Sequence, residues 1–215
     1  MNVTQKWHAL VAALVSGAML VLLPGCATLE KPTDVAAKAR FDIFRNTSHY
    51  KNLELFSGTE KHDDFGWRIM AEIDPGKKEY IIFDVGYTKY GDTTFDGLWQ
   101  GVPDQGTIET ESYEASVGYS YPFTENFSAG GRIGAAYVDV SESELYDGVP
   151  YSADASETIA YGGIFGRFAI NENWGVSMFF DHYPDVGKDG QTGEGDLAVY
   201  GVGVDFRFGG SNSDD

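Results

Sequence analysis

Acid–base chemistry needs an imidazole or carboxyl beside a nucleophile, and the best-placed candidate in the chain is His182, in Asp181-His182-Tyr183-Pro184. As a general base it would need a hydroxyl or thiol within hydrogen-bond reach. Position 184 is proline, and Ser177, five positions away on the same extended run, would lie more than about 15 Å off at the ~3.3 Å rise of a strand. Ser141, Ser143 and Ser152 fall in connecting segments and would reach His182 only through the fold of those segments. No catalytic residue is assigned, and a histidine among aromatics reads as an interface residue. Asp185, Asp189, Glu194 and Asp196 alternate with Gly187, Gly190, Gly193 and Gly195, a spacing that departs from the oxygen-ligand pattern of an EF-hand. A solvated acidic loop is expected there, with no metal and no cofactor.

The rest of the chemistry is charge pairing. Arg68, Glu72, Asp84, Glu114, Arg132, Arg167, Asp181, Asp205 and Arg207 occupy alternate positions in runs whose other face is apolar. Trp67, Ile69, Ala71 and Ile73 oppose Arg68, Met70 and Glu72; Tyr113, Ala115, Val117, Tyr119 and Tyr121 oppose Glu114, Ser116, Gly118 and Ser120. Charges stand where a small water-soluble domain would keep its core. That inversion predicts an all-β, closed, antiparallel, eight-stranded transmembrane β-barrel, apolar outside and polar inside. Strands are expected near 39–46, 65–73, 80–90, 113–121, 127–140, 158–170, 174–184 and 197–208. Connections near 74–78, 122–126 and 171–173 are short, while those near 47–64, 91–109, 142–157 and 185–196 are long and acidic. A lumen of eight strands is about wide enough to be filled by side chains, so the inward charges should pair across it and plug it. The Phe95-Asp96-Gly97-Leu98-Trp99 segment places Leu98 and Trp99 as contact candidates in one long connection.

Residues 9–23 form an apolar run between Lys6 and Pro24, too short for a typical span and matching the apolar region of a secretory signal peptide. The organisation read from the chain is a signal peptide at 1–26, a polar tether at 27–38, the barrel at 39–208 and a polar tail at 209–215. Cys26 is the only cysteine, so no intramolecular disulfide can form. The net charge of −18 argues against nucleic acid as a partner. A hydrophobic fraction of 42% is ordinary, because barrels hide from hydropathy by alternating apolar and polar residues.

The hairpins Tyr119-Ser120-Tyr121-Pro122-Phe123-Thr124-Glu125-Asn126-Phe127 and Phe165-Gly166-Arg167-Phe168-Ala169-Ile170-Asn171-Glu172-Asn173-Trp174, with the Phe208 ending, resemble the OmpA-like family of eight-stranded outer-membrane barrels, including OmpX and opacity-type proteins. The resemblance covers about residues 39–208. It implies that Tyr200, Val202, Val204, Phe206 and Phe208 form the insertion signal read by the barrel assembly machinery. It also implies an outer-membrane location among lipids and lipopolysaccharide, as a monomer, with both termini periplasmic. With only seven residues after Phe208, the peptidoglycan-binding domain of full-length OmpA-type proteins is not expected. Leu23-Pro24-Gly25-Cys26 resembles a bacterial lipobox, implying a lipid on Cys26, although Pro24 stands where a small residue is usual; ordinary cleavage after Ala27 is the other reading. The expected role is non-enzymatic, envelope structure or contact with a host or surface ligand through four acidic loops. The alternatives are a lipid A-modifying enzyme, since some barrels of this kind use a rim His and Ser, or a small-solute channel.

Overall fold

The computed structural model of the protein describes residues 36–50, 56–61, 65–74, 80–188 and 192–208. The signal-peptide segment, Cys26, most of the tether and the 209–215 tail lie outside them. No helix among the described residues is long and apolar enough to cross a membrane, a fact without bearing on crossing by strands.

Ten antiparallel strands are present: β1 (Ala36–Tyr50), β2 (Phe56–Lys61), β3 (Phe65–Asp74), β4 (Ile81–Lys89), β5 (Thr93–Trp99), β6 (Val102–Pro122), β7 (Phe127–Tyr146), β8 (Val149–Ala169), β9 (Trp174–Lys188) and β10 (Gly193–Phe208). Eight of them close a ring in the order β1, β3, β4, β6, β7, β8, β9, β10, with β10 pairing back onto β1 and β6–β7 completing the circuit. β2 and β5 stand outside the ring: β5 pairs with the first part of β6, and β2 pairs with β5.

Alternation along each ring strand sets the two surfaces. Ile133 (69% exposed), Met178 (65%) and Val202 (64%) stand on the outer face, an arrangement that is stable only where the surrounding solvent is itself apolar. At the short-turn end the outer face carries a belt of rings, with Trp174 against Phe206 and Phe206 against Phe208 at 4.7 Å between centroids, and Tyr80 against Tyr119 and Tyr121 at 5.6 Å. At the other end Trp67, Tyr87 and Tyr113 pack in series at 5.5 and 5.2 Å. Aromatic belts at two levels mark the two edges of an apolar band.

Two expectations are corrected. The first strand begins at Ala36 rather than 39 and runs on to Tyr50 rather than 46, because its ladder with β10 continues to Gly195. The connections at 91–109, 142–157 and 185–196 are not long loops. β6, β7 and β8 continue through them as 20- and 21-residue strands, β5 is added at 93–99, and β9 and β10 extend to Lys188 and back from Gly193. Their turns are tight: Gln100-Gly101 and Asp147-Gly148 both have positive φ at the two central residues, the geometry of a type I′ hairpin. Above the apolar band both strand faces can be wet, so pairing is no longer written as an apolar–polar alternation.

Candidate functional site

The lumen of the ring holds a continuous ionic network built by all eight ring strands. Arg68 on β3 is fully buried and donates to Asp42 on β1 through Nε and to Asp181 on β9 through Nη1, both at 2.8 Å. Arg132 on β7 grips the same Asp181 with Nε at 3.0 Å and Nη2 at 2.5 Å, and its Nη1 lies 3.6 Å from Asp84 on β4. Arg167 on β8 donates to Glu72 on β3, the strand opposite it in the ring, at 2.8 Å, and Lys38 reaches the same carboxylate at 2.9 Å. Arg40 donates to Asp42 at 3.1 Å and lies against the Met70 sulfur. Asp205 and Arg207 on β10 sit at the short-turn mouth, which opens into a cavity of about 490 Å³. Lys38, Arg40, Arg68, Arg132, Arg167 and Arg207 therefore face Asp42, Glu72, Asp84, Glu114, Asp181 and Asp205, six cations to six anions.

Such pairing is what keeps buried charge tolerable, since an isolated charge in this setting would cost several kcal/mol, or ~3–5 when one partner is removed. Two glycines make the room. A Cβ at Gly163 would run into the Asp181 carboxylate, and one at Gly203 into that of Asp42.

Towards the hairpin end the lumen changes character. Glu114 Oε1 accepts hydrogen bonds from Thr88 (2.7 Å), Ser112 (2.9 Å), Tyr183 (3.0 Å) and Tyr90 (3.1 Å). Tyr161 stacks on Tyr183 at 4.8 Å, Phe44 meets Phe179 and Tyr90 edge-on, and the Arg68 guanidinium lies 4.1 Å from the Phe179 ring centroid. Above them Ala136, Val138, Val140, Ile108, Val186, Leu197 and Val199 form an apolar cluster.

All nine charges read from the alternation point into this lumen, Arg207 with partial exposure. Sequence reasoning missed Arg40, Asp42 and Lys38, because the β1 pattern is weak, and the hydroxyl group around Glu114, whose members are scattered over β4, β6, β9 and Tyr90 just beyond β4. His182 is exposed on the outer face of β9, level with Ala198 and Gly162, whereas Ser177 is buried on the inner face. The two point to opposite sides of one strand. Leu98 and Trp99 lie on β5 rather than in a loop, Leu98 exposed and Trp99 half-buried. Tyr200, Val202, Val204 and Phe208 are exposed on the outer face, and Phe206 is half-buried between Trp174 and Phe208.

Beyond the apolar band the lumen-side face of β6–β8 continues as a second group. Asp104 is opposite Tyr146, Gly106 is opposite Glu144, and Ile108 is opposite Glu142. Burial, then the neighbouring Glu144 and Asp104 carboxylates, push the Glu142 carboxyl up to about 7. Burial and Asp104 raise Glu144, and burial raises Asp104. Asp104 is closed off by its immediate neighbours in a thin part of the molecule rather than in a deep core. Glu157 is raised by burial, against the pull of the Gly187 backbone and Lys188.

A closed ring with an apolar exterior, two aromatic belts and a self-paired ionic lumen defines a transmembrane β-barrel of the outer-membrane class. Residues 76–212 match the OmpA-like transmembrane domain, and the chain belongs to that family. No curated protein sequence matches it. Among solved structures it is similar to Ail, the attachment invasion locus protein of Yersinia pestis, with a TM-score of 0.53 and 12% identity over 80% of this chain and 98% of that one. It is similar to the outer membrane protease OmpT from Escherichia coli, with a TM-score of 0.52 and 9% identity over 86% of this chain and all of the other. A third similar structure is the outer membrane protein AlkL, with a TM-score of 0.50 and 15% identity over 86% and 95% of the two chains. At such identities the likeness is one of fold, and this fold carries different functions. The protein is an outer-membrane β-barrel.

Proposed function

We propose that the protein is a non-enzymatic surface-interaction barrel whose lumen is a structural plug and whose working surface is the β-sheet projecting beyond the apolar band. The observation that carries this reading is the division of charge: among the described residues the lumen sets six cations against six anions, five of each joined in ion pairs, while 91–112 and 138–157 hold five and six carboxylates with no lysine or arginine. Side chains that cross the lumen from β8 to β3 and from β3 to β9 obstruct a solute path. His182 lacks a nucleophile on its own side of the strand, which speaks against acyl chemistry at that site.

The even number of ring strands puts both ends of the barrel at the short-turn side, here assigned to the periplasm. In this reading the 1–26 segment is a signal peptide and Cys26 carries a lipid that reaches the inner leaflet through the tether. The chain works as a monomer, delivered to the membrane through its Tyr200–Phe208 ending.

The decisive experiment is mass spectrometry of lipid A from cells with and without the protein, run beside adhesion of the same cells to immobilised host and abiotic surfaces. Unchanged lipid A with protein-dependent adhesion is expected; a lost, gained or transferred acyl chain would overturn the reading. Conductance steps from the purified barrel in planar bilayers would instead make it a channel. For the anchor, Cys26→Ala should abolish fatty-acid labelling, and unchanged labelling would remove the lipid from the account.

A further inference from the structure

Three acids of the projecting sheet, Asp104, Glu142 and Glu144, share one face at a regular spacing. Glu142 and Glu144 are successive same-side residues of β7, so their Cβ atoms are ~7 Å apart at the strand rise. Glu144 pairs with Gly106, the next same-side position to Asp104 on β6, which places the third carboxylate diagonally across from it. Burial first, and then the nearby Asp104 carboxylate, raise the Glu142 and Glu144 carboxyls above their ordinary range.

Asp104 is 3% exposed, and its Oδ1 has no hydrogen-bond partner. A buried acceptor left without a partner is costly, and Glu142 and Glu144 add charge of the same sign on that face. Tyr146 and Tyr151 stand on the same face, opposite Asp104 and Glu144 respectively, and both are exposed. Tyrosine rings beside carboxylates favour ammonium and guanidinium groups through the ring quadrupole.

We propose that the lumen-side face of β6–β8 beyond the apolar band binds an extended basic peptide segment, whose alternate Lys or Arg side chains meet Asp104, Glu142 and Glu144 between Tyr146 and Tyr151. This rests on the surface-interaction reading and names the partner's chemistry. The peptide form follows from the spacing: an extended chain repeats its same-side residues every ~7 Å, matching the step from Glu142 to Glu144. A single metal ion is a poorer occupant, because among the described residues no three His, Cys, Asp or Glu are grouped closely enough to hold one. A polyanion is opposed by the field of the whole surface. Ail of Yersinia pestis, solved with the heparin analogue sucrose octasulfate, holds an anionic sugar, whereas the acid-only strands of this chain call for the opposite sign.

The test uses the full folded protein in zwitterionic detergent and a fluorescent hexapeptide of alternating arginine and threonine, read by anisotropy at pH 8. Asp104→Asn/Glu142→Gln/Glu144→Gln should weaken binding at least about tenfold. Asp96→Asn/Asp139→Asn/Asp154→Asn removes as much charge from the opposite face of the sheet and should change binding by less than about threefold. Unheated gel mobility verifies that both variants are folded. Equal losses in the two variants would reduce the effect to general attraction and overturn the proposal, as would absence of binding to the unaltered protein. Displacement of the peptide by Mg²⁺ at micromolar concentration would identify a divalent ion as the occupant and also overturn it. Adhesion that depends on the protein but is indifferent to the Asp104, Glu142 and Glu144 variant would remove this site and leave the broader surface-interaction reading standing.

Discussion

The lumen and the projecting sheet are built from the same strands, yet they treat charge in opposite ways. In the lumen Asp42, Glu72, Asp84 and Asp181 each face a guanidinium or ammonium across a narrow space, and Glu114 a ring of hydroxyls. Further along β6 and β7, Asp104, Glu142 and Glu144 share a face and no ion pair joins them to a cation among the described residues. Charge that has lost water must be answered within the chain, because nothing else is present in a filled lumen. Charge at the edge of the solvent can be left over, and leftover charge of one sign is the form in which a protein surface attracts a partner.

The largest effect that would break this contrast is in the lumen. Arg68→Met leaves Asp42 and Asp181 facing a fully buried gap and should cost ~3–5 kcal/mol, read as a lower urea midpoint by tryptophan fluorescence; a loss below about 1 kcal/mol would mean that the network is not coupled. Next, Gly163→Ala forces a methyl into the Asp181 carboxylate and should cost ~1–3 kcal/mol. Gly162→Ala, where the nearest atom to a new Cβ is 3.5 Å away, should stay within ~0.5 kcal/mol. Tyr183→Phe removes one of four hydroxyl donors to Glu114 and should lower stability by ~1 kcal/mol.

The smallest effect sharpens the contrast from the other side. Glu142 is pushed up from 4.5 to about 7 in the folded protein, so the folded state takes up a proton in a window where the unfolded chain does not. Its charge works against folding above pH 7 and is relieved as the pH falls towards 4.5, so stability should rise on mild acidification. Glu142→Gln should flatten that slope and raise stability slightly at pH 8, the reverse of removing Arg68 from the lumen. Urea midpoints at pH 8 and pH 5.5 settle the sign. Peptide binding to the same face should weaken over the same interval, because the proton and the basic side chain compete for one carboxylate.

The ring strands were legible because each carries one apolar and one polar face; the run Trp67, Ile69, Ala71, Ile73 against Arg68, Met70, Glu72 states both the strand and its direction. β5 and the extensions of β6–β8 were not read, since with both faces wet the apolar rule no longer applies. A local signal was there all the same. Asp147-Gly148 between Tyr146 and Val149 is a two-residue hairpin turn of the favoured kind, and Gln100-Gly101 does the same work between β5 and β6. Arg40 and Asp42 were hidden by a first strand whose outward residues include Ala39 and Arg45 besides Phe41 and Ile43.

The sequence by itself determined the closed antiparallel barrel, the lipid-facing runs and nine of the charges that face the lumen, because strand periodicity is a local property that pairing only has to respect. Tertiary structure alone decided which charges meet, since Arg167 and Glu72 are 95 residues apart and Arg68 and Asp181 are 113 apart. It also decided that Asp104, Glu142 and Glu144 share one face, because register across β6 and β7 is a property of the ladder and not of either strand.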